Sequence, residues 1–413
     1  MMILLSVAWQ SLLSRKKTAI LTFLSLTISI VVLLSIEHVR LQAKESFNRT
    51  ISGVDLIVGA PSGQLNLLLY SVFRMGSPAN NINYTSFTML EKRQLVDWAI
   101  PISLGDSHRG FRVVGTNNSY FTHYHYGKKQ PLKFEYGGEF SSLFNVVIGA
   151  DVARNLNYNL GDKIVIAHGI GNTSFTKHAQ APFVVSGILA TTGTPVDKSV
   201  HVSLGAIEAI HLPPSSLKAL IKDPKAIPPT PKSITAIMLK LKSKLSTFGL
   251  QREINNDKTD RLMAVLPGVA MAELWSLMAT GENLLRIIAV LVLISSLFGL
   301  TTMLLASMNE RQSEIAVLRI LGASPVTLLL LILLEAIILV SLAIMMSIVL
   351  LILALYSLEA WLAAEFGLFL SHDIFTMELM RLIFMIFIAT LIVPLLPGIT
   401  AYKQTLHTQL SSN

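Results

Sequence analysis

The chain has 413 residues, of which 52% are hydrophobic and only 14% charged, with a mean hydropathy of +0.58. Soluble domains carry about 25% charged residues, so this is the composition of a membrane protein. Cysteine is absent, which excludes disulfides, thiolate metal sites and thiol catalysis. The net charge of +8 suits cationic flanks beside anionic lipids, since no nucleic-acid-binding module accompanies it and no nucleic-acid partner is expected.

Residues 1–17 open the chain. Ile3, Leu4, Val7, Ala8 and Leu12, with Trp9 among them, fall at helical spacing and predict an amphipathic helix at a membrane surface. Arg15, Lys16 and Lys17 follow, then an apolar run at 18–36 long enough to cross about 30 Å of hydrocarbon. A basic cluster before an apolar run is also the pattern of a secretory leader. This run is long for one, and the EHVRLQAKES after it lacks a small-x-small cleavage site. The reading is an uncleaved first span with a cytosolic N-terminus.

Residues 37–283 hold turns, alternating strands and polar loops, with no stretch that would cross a bilayer. Their length suits one or two cores. Both ends, 39–50 and 269–280, read as helical stalks continuing the first and second spans, with Gly281 a candidate hinge. Strands are expected at 54–58, 146–150, 163–167, 183–189, 200–202 and 233–241, the last with Ile237, Leu239 and Leu241 on one face and Lys240 on the other. Gly149 and Gly161–Asp162 suit tight turns. Residues 65–73 place Leu65, Leu68, Leu69, Val72 and Phe73 on or near one helical face, which is either core or the wall of a substrate groove or partner site. Histidines are frequent here. His123 and His125 would share a face if extended, which makes them weak metal candidates: no third ligand is placed by spacing, and Lys128 and Lys129 would repel a cation.

A second span is expected at 284–307, a cytosolic surface helix at 308–325, a third span at 326–352 and a fourth at 381–400, with a short tail at 401–413. Between the last two spans, 353–380 carries Glu359, Glu365, Asp373 and Glu378 without Lys or Arg, so it faces outward as an interfacial loop. Glu335 lies about ten residues, or roughly 15 Å, into the third span. A carboxylate there is costly and faces protein, with Ser296, Thr301 or Thr302 as candidate hydrogen-bond partners, in either a structural or a force-transmitting role. Ser25, Ser29, Ser295, Ser296 and Gly299 permit close helix approach and suit a homodimer seam across the first two spans.

The charged run at 308–324 reads MNERQSEIAVLRILGAS. Asn309 is a candidate N-cap, Glu310 falls in the first turn and Arg319 in the last, and Gly322 followed by Pro325 stops the helix. Glu310 and Glu314 form an i,i+4 like-charge pair that Arg311 compensates only in part, so a basic partner from elsewhere is expected. This stretch resembles the E-R-x-x-E-I-x-x-L-R-x-x-G-A motif of permeases in the MacB/FtsX/LolC–LolE class of ABC transporters (type VII, mechanotransmission). Glu310, Arg311, Glu314, Ile315, Leu318, Arg319, Gly322 and Ala323 match it position by position. In that class the motif docks on the ATPase, and the resemblance implies an ATPase-coupling role for those residues. The segments VVIGADVARNLNYNLGDKIVI and FVVSGILATTGTPVDKSVHVSL are similar to the class in Ile148, Gly149, Ala153, Leu156, Gly161, Asp162, Val185 and Gly187. The ending P-G-x-x-A-Y-K resembles P-A-x-x-A-x-R, with Gly398 in place of alanine.

The fold class expected is an α-helical membrane protein with four transmembrane helices and a large α+β periplasmic domain between the first and second. That domain is expected to have a membrane-proximal porter-like part and a β-rich inserted part. No P-loop, HExxH or G-x-S-x-G is present, so neither catalysis nor a cofactor is expected in this chain. The resemblance implies an ABC ATPase subunit as partner, a second permease copy or a similar permease, membrane lipids around it, and a bacterial inner membrane location. It allows a periplasmic partner protein. Two rival functions stay open: a mechanical regulator of a periplasmic partner without transport, and a component of metal-ion (zinc-type) uptake suggested by the histidines.

Overall fold

The computed structural model describes residues 2–169, 180–222, 229–257, 260–310, 324–366 and 376–392. It divides into two compact units, one formed by the described residues of Met1–Ala43, Ala279–Trp361 and Leu370–Asn413, the other chiefly by Lys44–Met278.

In chain order, α1 (Met2–Ser14) and α2 (Lys16–Arg49) lead to β1 (Leu56–Gly59), α3 (Gln64–Ser71), β2 (Ile82–Asn83) and α4 (Tyr84–Glu91). Next come β3 (Val96–His108), β4 (Phe111–Thr116), α5 (Ser119–His123), β5 (His125–Tyr126), β6 (Gln130–Pro131), β7 (Phe134–Gly137) and β8 (Asn145–Ile148). They are followed by α6 (Ala150–Leu156), β9 (Lys163–Ile164), β10 (Ala167–His168), β11 (Phe183–Leu189) and β12 (Ser199–Ser203). Then α7 (Leu204–Ile210), α8 (Pro214–Lys222), β13 (Ser233–Ile234), β14 (Ala236–Leu241), α9 (Thr247–Asn255) and β15 (Met263–Val265) complete the second unit. The chain continues as α10 (Pro267–Glu310), α11 (Pro325–Phe366) and α12 (Met377–Ile392).

Among the described residues three helices are long and apolar enough to cross a membrane, over Lys16–Glu45, Pro267–Met308 and Leu329–Leu358. Both α10 and α11 start at a proline, whose missing N–H and fixed φ suit a first helical position. The fourth span expected at 381–400 overlaps α12, described over the 16 residues Met377–Ile392. Two boundaries differ from expectation. Helix α10 runs through Glu310, so Asn309 lies inside it and caps no new helix; nothing in ASMNE breaks a helix. Helix α11 runs on to Phe366, so the expected loop at 353–380 is helical in its first part, where Leu, Ala and Glu favour helix.

The second unit is built on a mixed sheet in the order β15-β1-β14-β3-β4-β12-β8-β11-β7. Strand β3 is its spine. Its first half pairs with β14 and its second half with β4, with a register shift between Leu104 and Ser107. Arg109 (φ 46) and Gly110 (φ 88) close the β3–β4 hairpin, two consecutive residues with positive φ as a type I′ turn requires. Strand β14 is covered on both faces, with Ala236 and Met238 in one core and Ile237, Leu239 and Leu241 in the other. Its single half-covered residue, Lys240, pairs with Asp55 at 3.1 Å. A third core gathers Val146, Ile148, Phe183, Val185 and Val200 beneath α6 and α7. Gly161 takes the left-handed conformation of a turn (φ 87). Gly149 has an ordinary φ, and its role is close approach: a Cβ there would collide with the Val196 and Asp197 carbonyl oxygens.

Candidate functional site

The expected coupling residues Arg311, Glu314, Ile315, Leu318, Arg319 and Gly322 lie outside the described residues. Glu310, the first of them, closes α10. Its partner is Arg15, at the turn between α1 and α2, with Nε 3.1 Å from Glu310 Oε2. Arg15 Nη2 also donates to the Ser307 carbonyl at 2.6 Å. A cation there meets both a carboxylate and a backbone carbonyl of α10. A basic partner was expected for Glu310; its identity, almost 300 residues away in sequence, was not legible.

Deeper in this unit the polar side chains bind helix to helix. Ser29 Oγ and Ser25 Oγ lie 2.5 Å and 3.2 Å from Ser296 Oγ, joining α2 to α10. Ser347 on α11 donates to the Thr27 carbonyl of α2 at 3.0 Å. Ser29 and Ser296, both buried, therefore serve a helix contact within one chain, while Ser25, Ser295 and Gly299 of the expected homodimer seam are exposed. Glu335 is buried at 4% exposure. Thr301 and Thr302 donate to their own helix, to Leu297 and Phe298, and Ser296 faces α2, so the three candidate partners direct their hydroxyls elsewhere.

Past the apolar run of α2, Glu37 accepts from Arg40 at 2.5 Å and from Arg286 of α10 at 2.9 Å, while Arg40 reaches Glu282 at 3.9 Å. Four charges thus link the two helices, and none was singled out from sequence. Opposite charges four residues apart on α10, with their complements three apart on α2, were the signal that could have found them. Gly281 lies beside this cluster within an unbroken helix, and a Cβ added there would meet nothing within 4 Å.

In the second unit, Leu68, Val72 and Phe73 are buried in the core and Leu69 packs against it, with Leu65 half-buried. Three of the five residues of this face therefore lie in the domain core. His123 ends α5 and stacks on Trp98 with ring centroids 5.5 Å apart, while His125 Nδ1 lies 2.6 Å from the His123 carbonyl. The one residue between them, Tyr124, has extended backbone (φ −71, ψ 126), and no group of three ligating side chains occurs among the described residues. Two open cavities were not foreseen. One, of about 570 Å³, is lined by Lys44, Ile51, Val54, Met271 and Trp275; the other, of about 630 Å³, by Tyr136, Arg154, Tyr158 and Leu160.

Residues 19–257 match the family described as the MacB-like periplasmic core domain, and residues 286–410 match the FtsX-like permease C-terminal family. The first match alone covers more than half of the chain. The chain belongs to the MacB/FtsX-like class of ABC transporter permeases. It is thus a multi-pass membrane permease subunit, and its second unit corresponds to the periplasmic core domain of that class. Members are in general non-catalytic and work with a cytosolic ATPase, often as dimers. Among solved structures, the periplasmic region of MacB from Actinobacillus actinomycetemcomitans is similar at 13% identity and a TM-score of 0.34, over 55% of this chain and 94% of that one. Comparison with curated proteins finds no match.

Proposed function

We propose that this permease couples ATP binding and hydrolysis by a separate ATPase to movement of its periplasmic domain, and so extracts or moves a lipoprotein, peptide, lipid or small toxic compound. The observation that carries the reading is the continuity of α10: one helix of 44 residues runs from Pro267, next to β15 of the periplasmic core, to Glu310, the first acid of the docking motif. A helix without interruption transmits displacement along its axis. Closure of the ATPases would draw the 308–324 segments together, and α10 would pass that motion outward. Gly281, lacking a side chain at the outer end, is the proposed point of flexure. Arg311, Glu314, Ile315, Leu318, Arg319 and Gly322 form the rest of the proposed docking surface. Glu335 is the proposed interhelical polar contact.

The accompanying topology is four spans in a bacterial inner membrane with both termini cytosolic, and a second permease copy or a similar permease completing the transporter. A regulator that drives a periplasmic partner without moving substrate would use the same lever, and a periplasmic adaptor is compatible with either. The test is co-purification in detergent with the ATPase encoded beside this gene. Wild type is expected to retain the ATPase, and Glu310→Lys/Glu314→Lys to release it. If wild type retains none, the coupling role is lost and a membrane-anchored periplasmic domain acting alone replaces it.

A further inference from the structure

The cation that holds the first acid of the docking motif comes from the opposite end of the chain. Arg15 occupies the elbow between α1 and α2, where its N–H donates to the Leu12 carbonyl and its own carbonyl accepts from Ala19 N–H at 3.0 Å. Its side chain is 12% exposed, against 67% for Glu310. One planar guanidinium serves two acceptors of different kinds, the Ser307 carbonyl in the last turn of α10 and the Glu310 carboxylate beyond it. That demands a fork, and a lysine ammonium offers no such fixed pair of donors. Helix α1 is itself seated, with Ala8, Ser11 and Leu12 buried.

An ion pair with one partner this exposed adds little to stability. What it fixes is position. We propose that Arg15 is a positioning residue for energy coupling, locking the final turn of α10, and with it the start of the docking segment, to the α1–α2 elbow. This rests on the reading of 308–324 as the ATPase-docking segment. The Ser25/Ser29–Ser296 contact and the Glu37–Arg286 ion pair repeat the connection at two further levels. From Arg286 to Glu310 is about 36 Å of helix at 1.5 Å per residue. Joined at both ends and in the middle, α2 and α10 resist sliding past each other. Force delivered at Glu310 is therefore shared by both helices and leaves as the motion of a pair.

The absence of cysteine makes the test direct. Lys17→Cys and Thr302→Cys, both at exposed positions on α2 and α10, carry spin labels in the full permease, alone and with its ATPase. Inter-label distances are compared with ATP turnover of the reconstituted complex. The expected result is one narrow distance distribution, unchanged by ATP. Arg15→Glu should broaden it and lower turnover about fivefold while the ATPase still co-purifies, since the opposed carboxylates repel by about what an exposed pair gains. Arg15→Glu/Glu310→Arg should restore the narrow distribution in the permease alone, and Arg15→Lys should keep the distance but lose part of the turnover. Unchanged distances and turnover in Arg15→Glu, or a double variant whose distance distribution is no narrower than that of the single one, would overturn the proposal. Failure of wild type to hold any ATPase would instead sink the coupling reading, and the distance distribution of the permease alone would still decide whether Arg15 sets the α2–α10 register.

Discussion

His201 lies on β12 with no exposed surface, its ring 5.0 Å from that of Tyr120 and its Nδ1 3.3 Å from the Val147 carbonyl. Burial, with Arg74 nearby, pulls the imidazole down to about 3. An unfolded histidine titrates near about 6.5. The folded value is the lower of the two, so the stability that neutral His201 contributes is complete above about pH 6.5 and is lost as the pH falls toward the folded value. By linkage the loss approaches about 1.4 kcal/mol per pH unit. His108, buried against Tyr158 and the Val165 carbonyl, is lowered chiefly by burial and acts in the same direction. Melting of the 44–278 unit should therefore shift down between about pH 7 and about pH 5 by the equivalent of about 2 kcal/mol, and His201→Leu should flatten that slope. An unchanged slope in the variant would place the titration elsewhere.

Two further residues of the same unit make sharp predictions. Gly149→Ala forces a methyl against two carbonyl oxygens, a backbone clash expected to cost about 2–4 kcal/mol, read as a fall in the melting temperature. Asp197 is fully buried and accepts from Thr192 N–H, Thr192 Oγ1 and Gly193 N–H at 2.8–3.0 Å. Burial raises its carboxyl against those donors. Asp197→Ala strands them, and a loss of about 3 kcal/mol is expected, visible as rapid amide exchange at Thr192 and Gly193. Sequence placed both Gly149 and Gly161 in tight turns, and Gly161 has the positive φ of one. Gly149 was assigned to a turn because a glycine needed for close approach looks the same in one dimension as a glycine needed for positive φ.

Elements were legible where their pattern is local. Strand β11 falls at the expected bounds, β8 and β12 within a few residues, and the long apolar helices are plain in the composition. Strand β3 was missed, since V-D-W-A-I-P-I-S-L-G-D-S-H carries a proline, a glycine and two acids that argue against a strand. Pro101 is tolerated because it pairs with Ile237 of β14 and lies ahead of Ser103, where pairing with β4 begins. The small residues of α2 and α10 were recognised as a close-packing surface, but whether such a surface meets its own chain or another is a tertiary fact. Substitution separates the two. Ser296→Leu inserts bulk at a 6% exposed position between α2 and α10 and should cost about 1–3 kcal/mol in detergent unfolding. Ser296→Ala should cost under about 1 kcal/mol. A change in oligomeric state with unaltered unfolding would return the serines to a dimer seam.

On the scale of the whole chain, the family was more legible than the contacts. A motif of contiguous residues survives translation into one dimension, and the family was read from it. The pairing of Arg15 with Glu310 and of Glu37 with Arg286 did not, because each brings together positions separated by most of the sequence. The same separation governs the central sheet, where β1 lies between β14 and β15: Leu56 faces Leu239, and Ile57 faces both Met238 and Val265. Strand β1 follows directly on the first span, yet both of its neighbours are encoded near the far end of the domain. At ribosomal speeds of about 5–20 residues per second, it waits roughly 10–40 s for them. Through that interval a fully apolar L-I-V-G edge stands open to any other strand, so biogenesis of this permease should depend on a holding chaperone on the side of the membrane to which the domain is delivered.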